Sequence, residues 1–201
     1  MSENIGRVEG KVALITGAGS GLGRAAAKRL AEEGAIVVVS DVDAAGGTET
    51  ADMIESAGGK AAFMAHDVTN EDDWARVVTD IVAQHGQLDV LVNNAGLATV
   101  DAVHKADCAD IMNLVNVNVV ALTNLTKLFL DPMVERGNGR IINVASIVSF
   151  FPTPNFAAYG ASKAYVLSFS EALSQELRGT GVTVTAICPG YTKTDMISGA
   201  V

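Results

Sequence analysis

The sequence is poor in several residues that mark common classes of protein. It holds only 2 cysteines, Cys108 and Cys188, and 3 scattered histidines in 201 residues. With no spaced Cys or His motif, neither a disulfide framework nor a metal site is expected, and both thiols are interpreted as reduced and buried in a cytoplasmic protein. No run of Lys or Arg occurs and the net charge is −9, so neither nucleic acid nor an anionic membrane is an expected partner.

Long hydrophobic runs and a signal peptide are also missing. No apolar run approaches the roughly 18 residues of a membrane span, and the first residues lack a basic segment followed by an apolar one. We therefore expect neither a membrane-spanning helix nor a secretory leader. The chain does contain a hydrophobic fraction of 49% with 20 glycines, which is typical of α/β proteins with tight turns between strands and helices.

Short β-branched runs alternate with longer amphipathic stretches along the chain. Strands are predicted at 11–16, 35–41, 61–67, 88–96, 139–146 and 182–190. Helices are predicted at 21–34, 44–57, 70–85, 107–136 and 157–179, the fourth interrupted near Pro132. Six strands alternating with five helices indicate one α/β domain, residues 1–201, with a doubly wound parallel sheet.

The first predicted strand runs into a glycine-rich turn, TGAGSGLG at 16–23, and then into a helix. Backbone N–H groups at a helix N-terminus, together with the helix dipole, favour a phosphate. The spacing G-x-x-x-G-x-G differs from the usual Rossmann G-x-G-x-x-G, and a simple helix-capping turn would use the same glycines. Its place after the first strand of a Rossmann-like alternation favours a dinucleotide site, in which Gly17, Gly21 and Gly23 let the pyrophosphate approach the backbone.

Asp41 ends the second predicted strand, 20 residues after Gly21. An acid at this position of a Rossmann fold holds the ribose hydroxyls of the adenosine, and its charge would repel the 2′-phosphate of NADP. Neither Ser20 nor Val42 supplies a compensating positive charge. NAD is therefore favoured over NADP, and an ordinary surface carboxylate at a strand end is the alternative interpretation.

The pentapeptide YGASK at 159–163 places Tyr159 and Lys163 on one face of a predicted helix, because they are four positions apart. The pair alone is also compatible with a solvated helix face. Ser146 adds context, since it lies 13 residues before Tyr159, at the end of the fifth predicted strand, where open α/β sheets bind their ligands.

With these motifs the chain resembles the short-chain dehydrogenase/reductase family across nearly its whole length. The matching segments are TGAGSGLG at 16–23, HDV at 66–68, NNAG at 93–96, Asn118 within VNVNVV, Ser146, YGASK at 159–163 and PGYTKT at 189–194. They occur in the family's order and at its spacing. The resemblance implies an oxidoreductase that transfers a hydride between NAD(H) and a secondary alcohol or ketone.

By this resemblance, four residues form the catalytic set. Tyr159 is the general acid/base, and Lys163 favours its phenolate and binds the nicotinamide ribose. Ser146 orients and stabilises the carbonyl or alkoxide oxygen of the substrate. In the family the residue matching Asn118 bends its helix and holds a water of a proton relay, although an Asn with local hydrogen bonds is the plainer interpretation.

The resemblance also implies which residues bind the cofactor. Besides Tyr159 and Lys163, they are Gly17, Ser20, Gly21, Leu22, Gly23, Asp41, Asp67, Val68, Asn93, Asn94, Ala95, Gly96, Pro189, Gly190, Thr192 and Thr194. Asp67 and Val68 would contact the adenine, and Thr194 is the best-matched donor to the nicotinamide carboxamide. The segments 93–96 and 189–194 also have plainer interpretations, as bracing of the sheet and as an ordinary polar loop.

The residues around the catalytic set predict the class of substrate and the oligomeric state. Four apolar residues near it are Phe150, Phe151, Phe156 and Leu97. They favour an apolar or mixed alcohol or ketone, although packing of the loop explains the rings equally well. In the family the helices before and after the fifth strand pair with those of another subunit, so a homodimer or homotetramer through 107–136 and 157–179 is expected.

The resembling family continues past the matched region with a helical lid and a seventh, edge strand, whereas this sequence ends at Val201. We therefore expect the cofactor and catalytic residues to be present and that lid and strand to be absent. Two alternatives to the main function stay open. One is a truncated nucleotide-binding protein with little or no turnover, and the other is an NADPH-dependent ketone or 3-oxoacyl reductase. Neither the substrate nor the physiological direction follows from these motifs.

Overall fold

The computed structural model describes residues 6–192 as two compact units, one ending at Asn94 and the other beginning at Ala95. The strands of the described residues form a six-stranded sheet in the order β3-β2-β1-β4-β5-β6. This confirms the predicted α/β class, with parallel strands and helices between them. Thr194, which the sequence assigns to the cofactor site, lies outside the described residues.

The first unit carries four strands and three helices. They are β1 (Val12–Thr16), α1 (Gly21–Glu32), β2 (Ile36–Asp41), α2 (Ala44–Ser56), β3 (Lys60–Ala65), α3 (Glu71–His85) and β4 (Val90–Asn93). β1 pairs in parallel with β2 and with β4, and β2 pairs in parallel with β3. The carboxyl ends of these strands therefore share one edge, which is where the sequence places its cofactor residues.

Burial and helix capping explain why these residues form these elements. All five residues of β1 are buried, as expected for a parallel strand that is covered on both faces. α2 begins after Asp43, whose carboxylate accepts a hydrogen bond from the Ala45 amide, and α3 begins after Asn70 in the same way. α3 ends before Gly86, whose φ of 81° carries no Cβ penalty in glycine.

The second unit contains a long helix, two strands and a second long helix. Its elements are α4 (Cys108–Val115), a π-helical segment (Asn116–Ala121), α5 (Leu122–Glu135), β5 (Gly139–Val144), a 3₁₀ helix (Ile147–Phe150), α6 (Ala157–Glu176) and β6 (Val182–Ile187). β5 and β6 pair in parallel along their whole length. Leu122, Ala145 and Val166 form a buried cluster that joins α5, the end of β5 and α6.

The long helix predicted at 107–136 is present, but its predicted interruption at Pro132 is wrong. The helix is continuous from Cys108 to Glu135, and Pro132 lies inside α5. Proline removes the hydrogen bond to the carbonyl four residues earlier. That carbonyl belongs to Leu128, which is 41% exposed. The irregularity in this helix is instead the π-helical segment that contains Asn118.

Two further expectations need correction. By length and composition Cys108–Glu135 is long and apolar enough to cross a membrane, with a mean hydropathy of 1.2 over an 18-residue window, whereas the sequence reading found no such segment. Core helices of soluble proteins can be equally long and apolar, and this helix packs against α6 and β5.

Cys108 is exposed rather than buried, because it is the first residue of α4 after the capping Asp107, while Cys188 is half-buried.

Candidate active site

The glycine turn between β1 and α1 is shaped for a ligand that approaches the backbone. Gly17 and Gly21 have φ values of 63° and 51°, a region that glycine enters without strain. A Cβ on Gly23 would lie 2.1 Å from the Gly17 carbonyl oxygen, so no side chain fits there. Ser20 precedes α1 without capping it through its side chain, and Ser20, Gly21 and Leu22 are exposed. The turn and the first amides of α1 therefore fit the pyrophosphate of a dinucleotide.

Arg24 supports this turn from behind, a role that the sequence did not reveal. Its Nη2 donates to the Gly19 carbonyl at 2.5 Å and contacts Glu49 Oε2 at 2.6 Å. Its Nε donates to the Thr50 hydroxyl at 2.9 Å. The sequence feature that points to this packing is the Gly46-Gly47 pair inside α2. A Cβ on Gly46 would lie 2.9 Å from the Gly19 carbonyl oxygen, so the close approach of α2 to the glycine turn favours glycine there.

Asp41, the predicted ribose ligand, ends β2 and also organises the turn. Its Oδ2 accepts a hydrogen bond from the Gly19 amide at 2.7 Å, and its Oδ1 accepts one from the Asp43 amide at 2.9 Å. These two bonds fix the carboxylate beside the glycine turn. The described structure thus places the acid next to the backbone that the sequence predicts to bind the phosphates, as a ribose ligand requires.

The predicted adenine contacts follow β3 rather than ending it, because β3 stops at Ala65. Asp67 is exposed, and its Oδ1 accepts hydrogen bonds from the amide and the hydroxyl of Thr69. Val68 is buried, and its carbonyl accepts a hydrogen bond from Trp74 Nε1 at 2.8 Å. His66 beside them is 2% exposed, and burial lowers its pKa from 6.5 to about 4.

Asn94 connects the end of β4 to the glycine turn. Its Nδ2 donates to the carbonyls of Thr16 and Gly17, both at 2.9 Å, and its backbone amide donates to the Thr16 hydroxyl at 3.1 Å. Asn93 is buried, and Ala95 and Gly96, the other two residues of this motif, begin the second unit. In the first unit the motif therefore has the bracing role that the sequence allowed for it.

Asn118 lies in the π-helical segment, 1% exposed, and its side chain makes three hydrogen bonds. Its Oδ1 accepts from the Leu97 amide at 2.8 Å, and its Nδ2 donates to the Leu97 carbonyl at 2.9 Å and to the Ser162 hydroxyl at 3.0 Å. These partners are distant in sequence, so the interpretation of Asn118 as a locally bonded helical Asn is wrong.

Tyr159 and Lys163 lie on the same face of α6, as their spacing predicts. The Lys163 ammonium is 5.9 Å from the centroid of the Tyr159 ring and donates to the Val144 carbonyl at 2.8 Å. Lys163 is 5% exposed, and burial lowers its pKa from 10.5 to about 8. The structure therefore places a buried ammonium beside the ring of Tyr159.

Ser146 follows β5, which ends two residues earlier than predicted, and caps the 3₁₀ helix by accepting a hydrogen bond from the Val148 amide. This 3₁₀ helix packs on α6, with the Val148 carbonyl against Gly160, the residue after Tyr159. Ser146, at the start of the 3₁₀ helix, and Tyr159, on α6, therefore lie on two elements that pack against each other.

The loop after β6 lies beside Ser146. The Ile147 amide donates to the Pro189 carbonyl at 3.0 Å, which holds Pro189 and Gly190 next to the start of the 3₁₀ helix. Thr192 is exposed, and its hydroxyl donates to the Gly190 carbonyl at 3.2 Å. The half-buried Cys188 lies in the same loop, and burial raises the pKa of its thiol.

Apolar side chains are exposed near the predicted catalytic residues of the second unit. Phe150 is 61% exposed, Phe151 and Leu97 are also exposed, and Phe156 is half-buried with its ring centroid 6.1 Å from that of Tyr159. Within residues 6–192, no group of three or more His, Cys, Asp or Glu side chains is arranged to hold a metal ion.

Comparison with known proteins places these features in a family. The profile described as short chain dehydrogenase matches residues 11–200. Ketoacyl reductase HetN of Nostoc sp. is 39% identical over 182 residues, which are 90% of this chain and 63% of HetN. This chain therefore spans less than two thirds of the length of that relative.

Two solved structures show the same similarity in three dimensions. The 3-ketoacyl-(acyl-carrier-protein) reductase of Brucella melitensis, complexed with NADH, is 37% identical with a TM-score of 0.89, and the match covers 94% of this chain and 79% of that one. A short-chain oxidoreductase of metagenomic origin, in complex with NADP, is 35% identical with a TM-score of 0.87, and the match covers 92% of this chain and 85% of that one.

Proposed function

This chain belongs to the short-chain dehydrogenase family, and on that premise we propose that it transfers a hydride between NAD(H) and a secondary alcohol or ketone. In the oxidative direction the C–H bond of the carbinol would break, and bound NAD would supply the chemistry by accepting the hydride. The hydroxyl proton of the substrate passes to the phenolate of Tyr159, and a C=O bond forms. Reduction reverses each transfer.

The observation that carries this proposal is the buried Lys163 ammonium 5.9 Å from the centre of the Tyr159 ring. On this geometry Tyr159 is proposed as the general acid/base and Lys163 as the positive charge beside it. Ser146, at the segment that packs on α6, is the residue proposed to hydrogen-bond the substrate oxygen. Asn118 is proposed to complete the set through its bonds to Leu97 and Ser162.

We propose NAD rather than NADP as the cofactor. The glycine turn would hold the pyrophosphate and Asp41 the adenosine ribose. The remaining proposed contacts are Asp67, Val68, Asn93, Asn94, Ala95, Gly96, Tyr159, Lys163, Pro189, Gly190 and Thr192. One solved relative holds NADH and another NADP, so family membership does not choose between them. The Asp41 carboxylate, fixed by two backbone amides, supports NAD because it would repel a 2′-phosphate.

We propose an apolar or mixed alcohol or ketone as the substrate. The exposed rings of Phe150 and Phe151 and the exposed Leu97 support this choice, because such surface is stabilised when an apolar ligand removes it from water. A highly charged substrate would have to lose its hydration there without a charged partner.

The proposal is tested by measuring NADH and NADPH binding through nicotinamide fluorescence, then cofactor reduction with a panel of secondary alcohols. We expect NADH to bind better than NADPH. Tyr159→Phe should lower kcat by about 10²- to 10⁴-fold, the usual contribution of a general acid/base, and leave NADH binding intact. Binding without turnover in the wild-type protein would contradict the proposed oxidoreductase. Tighter binding of NADPH would favour the ketone or 3-oxoacyl reductase alternative.

Assembly and location are proposed on the same premise. We propose that the chain acts as a single catalytic domain, in the cytoplasm, as a homodimer or homotetramer through residues 107–136 and 157–179. Exposed apolar side chains on these helices support the assembly, among them Met112, Val120, Leu128 and Tyr165. Light scattering coupled to size-exclusion chromatography measures the mass in solution, and a monomer at all concentrations would contradict the assembly.

A further inference from the structure

Ser162 lies on α6 between the two residues that carry the proposed proton chemistry, and its hydroxyl is fully engaged. The residue is 4% exposed. Its Oγ donates to the carbonyl of Tyr159 at 2.7 Å and accepts a hydrogen bond from Asn118 Nδ2 at 3.0 Å. Because a serine hydroxyl has one proton, donation to Tyr159 leaves Ser162 only an acceptor toward Asn118.

The carboxamide of Asn118 is correspondingly saturated on its donor side. One Nδ2 proton goes to the Leu97 carbonyl and the other to Ser162, while Oδ1 accepts from the Leu97 amide. The Asn118 side chain is buried. Loss of any one partner would therefore leave a buried donor or acceptor without a hydrogen bond, which destabilises the fold. The position and the plane of the carboxamide are thereby fixed.

These bonds form one continuous chain from Leu97 through Asn118 and Ser162 to the backbone of Tyr159. It joins the loop at Leu97, the π-helical segment and the turn of α6 that carries the tyrosine. Ser162 is the only member of this chain that contacts both Asn118 and Tyr159 in the described hydrogen bonds.

We propose that Ser162 is a positioning residue for hydride transfer, because its hydroxyl holds Tyr159 and Asn118 in register. The inference rests on the proposed function. Ser162 is buried, and it acts through the two residues that it joins. Loss of the Ser162 hydroxyl leaves one Asn118 N–H without an acceptor. It also removes the hydrogen-bonded connection between Asn118 and the backbone of Tyr159. Misplacement of reacting groups by about 1 Å costs up to about 10²-fold in rate.

The chain supplies a matched control on the same helix. Ser170 donates to the Val166 carbonyl at 2.6 Å and accepts from Asn143 Nδ2 at 2.9 Å, and it is 1% exposed. This is the same pair of bonds, made by the same residue type, at a place that does not contact Tyr159 or Asn118. Removal of either hydroxyl should therefore destabilise the fold alike, while only Ser162 should affect turnover.

The experiment compares Ser162→Ala, Ser170→Ala and Ser162→Thr with the wild-type protein. Thermal unfolding, NADH affinity, kcat and KM are measured with the alcohol that the wild type oxidises fastest. We expect similar losses of thermal stability in the two alanine variants. Only Ser162→Ala should lower kcat, by about 10- to 100-fold, with NADH affinity unchanged and KM changed far less than kcat. Ser162→Thr keeps the hydroxyl and should keep most of the turnover.

Three results would overturn the inference. If Ser162→Ala has the same kcat as the wild type, the Ser162 hydroxyl does not position the catalytic groups. Ser170→Ala that loses as much kcat as Ser162→Ala shows a general effect of helix stability. Folded Ser162→Thr that is as slow as alanine shows that the hydroxyl is not what matters. If the wild type binds NADH but turns over no alcohol, the proposed function itself fails, and the inference fails with it.

Discussion

The two units of the molecule hold their functional groups by different means. In the first unit the proposed pyrophosphate site is backbone, the glycine turn and the start of α1, and side chains such as Arg24 and Asn94 support it from behind. In the second unit the functional groups are themselves buried side chains, Asn118, Ser146 and Lys163. Truncation of a supporting side chain should therefore loosen the glycine turn of the first unit while its amides remain, whereas truncation in the second unit would remove a group that is proposed to take part in the chemistry.

Each unit also buries one basic side chain at a cost. His66 in the first unit and Lys163 in the second are nearly inaccessible, and burial lowers both pKa values, to about 4 and to about 8. In each case the unfolded chain binds the proton more tightly than the folded one. Stability should therefore rise with pH through two separate windows, one for each unit.

The alkaline window tests the second unit and shares the largest expected effect with the acidic window. Between pH 8 and pH 10.5 the unfolded chain keeps the Lys163 proton that the folded chain releases, so the free energy of unfolding should rise with pH. The rise is about 3 kcal/mol for a shift of this size. Urea unfolding of the wild type minus that of Lys163→Met isolates it from other titrating groups. Lys127→Met, an exposed lysine of α5, is the control, and an identical rise in Lys163→Met would contradict the prediction.

The acidic window tests the first unit. As the pH falls from 6.5 to about 4, the unfolded chain gains a proton at His66 that the folded chain resists, and stability should fall by about 3 kcal/mol. Burial is the largest cause of the lowered pKa of His66. The charges nearby have smaller effects: Asp73 and Asp67 raise this pKa and Arg76 lowers it. His66→Gln should unfold with a flatter acid profile than the wild type. Exposed His104 provides the control, and a profile as steep in His66→Gln as in His104→Gln would refute the assignment.

Cofactor choice is the smallest of the three effects. Asp41→Asn removes the charge near the adenosine ribose but keeps an oxygen that can accept from the Gly19 amide. We expect the ratio of NADPH to NADH affinity to rise by about tenfold, which corresponds to roughly 1.4 kcal/mol. Asp43→Asn removes the same charge two residues later and keeps a good helix cap, so it should leave the ratio unchanged. Equal ratios in the two variants would show that general charge, not Asp41, matters.

The elements of the first unit were predictable because their signals are local. β1 is a short apolar run, VALIT, that contains three β-branched residues, and the glycines after it mark a turn. The N-terminal residues of α2 and α3 follow Asp43 and Asn70, which are ordinary capping residues. The partners of Arg24 were not predictable, since Gly19 and Thr50 meet it only after α1 and α2 pack together.

The second unit shows the limits of sequence patterns more clearly. A π-helical segment leaves no periodic signature over the six residues Asn116–Ala121, so the irregularity was assigned to Pro132, the residue with the stronger local signal. Spacing predicted Tyr159 and Lys163 on one face. It did not reveal Ser162, because its partner Asn118 lies 44 residues away in sequence.

The parallel ladder of β5 and β6 continues beyond the strands themselves. Ala145 and Ile147 donate to the carbonyls of Ile187 and Pro189, so two backbone bonds flank Ser146. If Ser146 binds the substrate as proposed, Pro189 is therefore a suitable graft point for a change of substrate preference. Loops exchanged after that residue would all start from the same place beside Ser146, and libraries built there should alter selectivity without moving the serine.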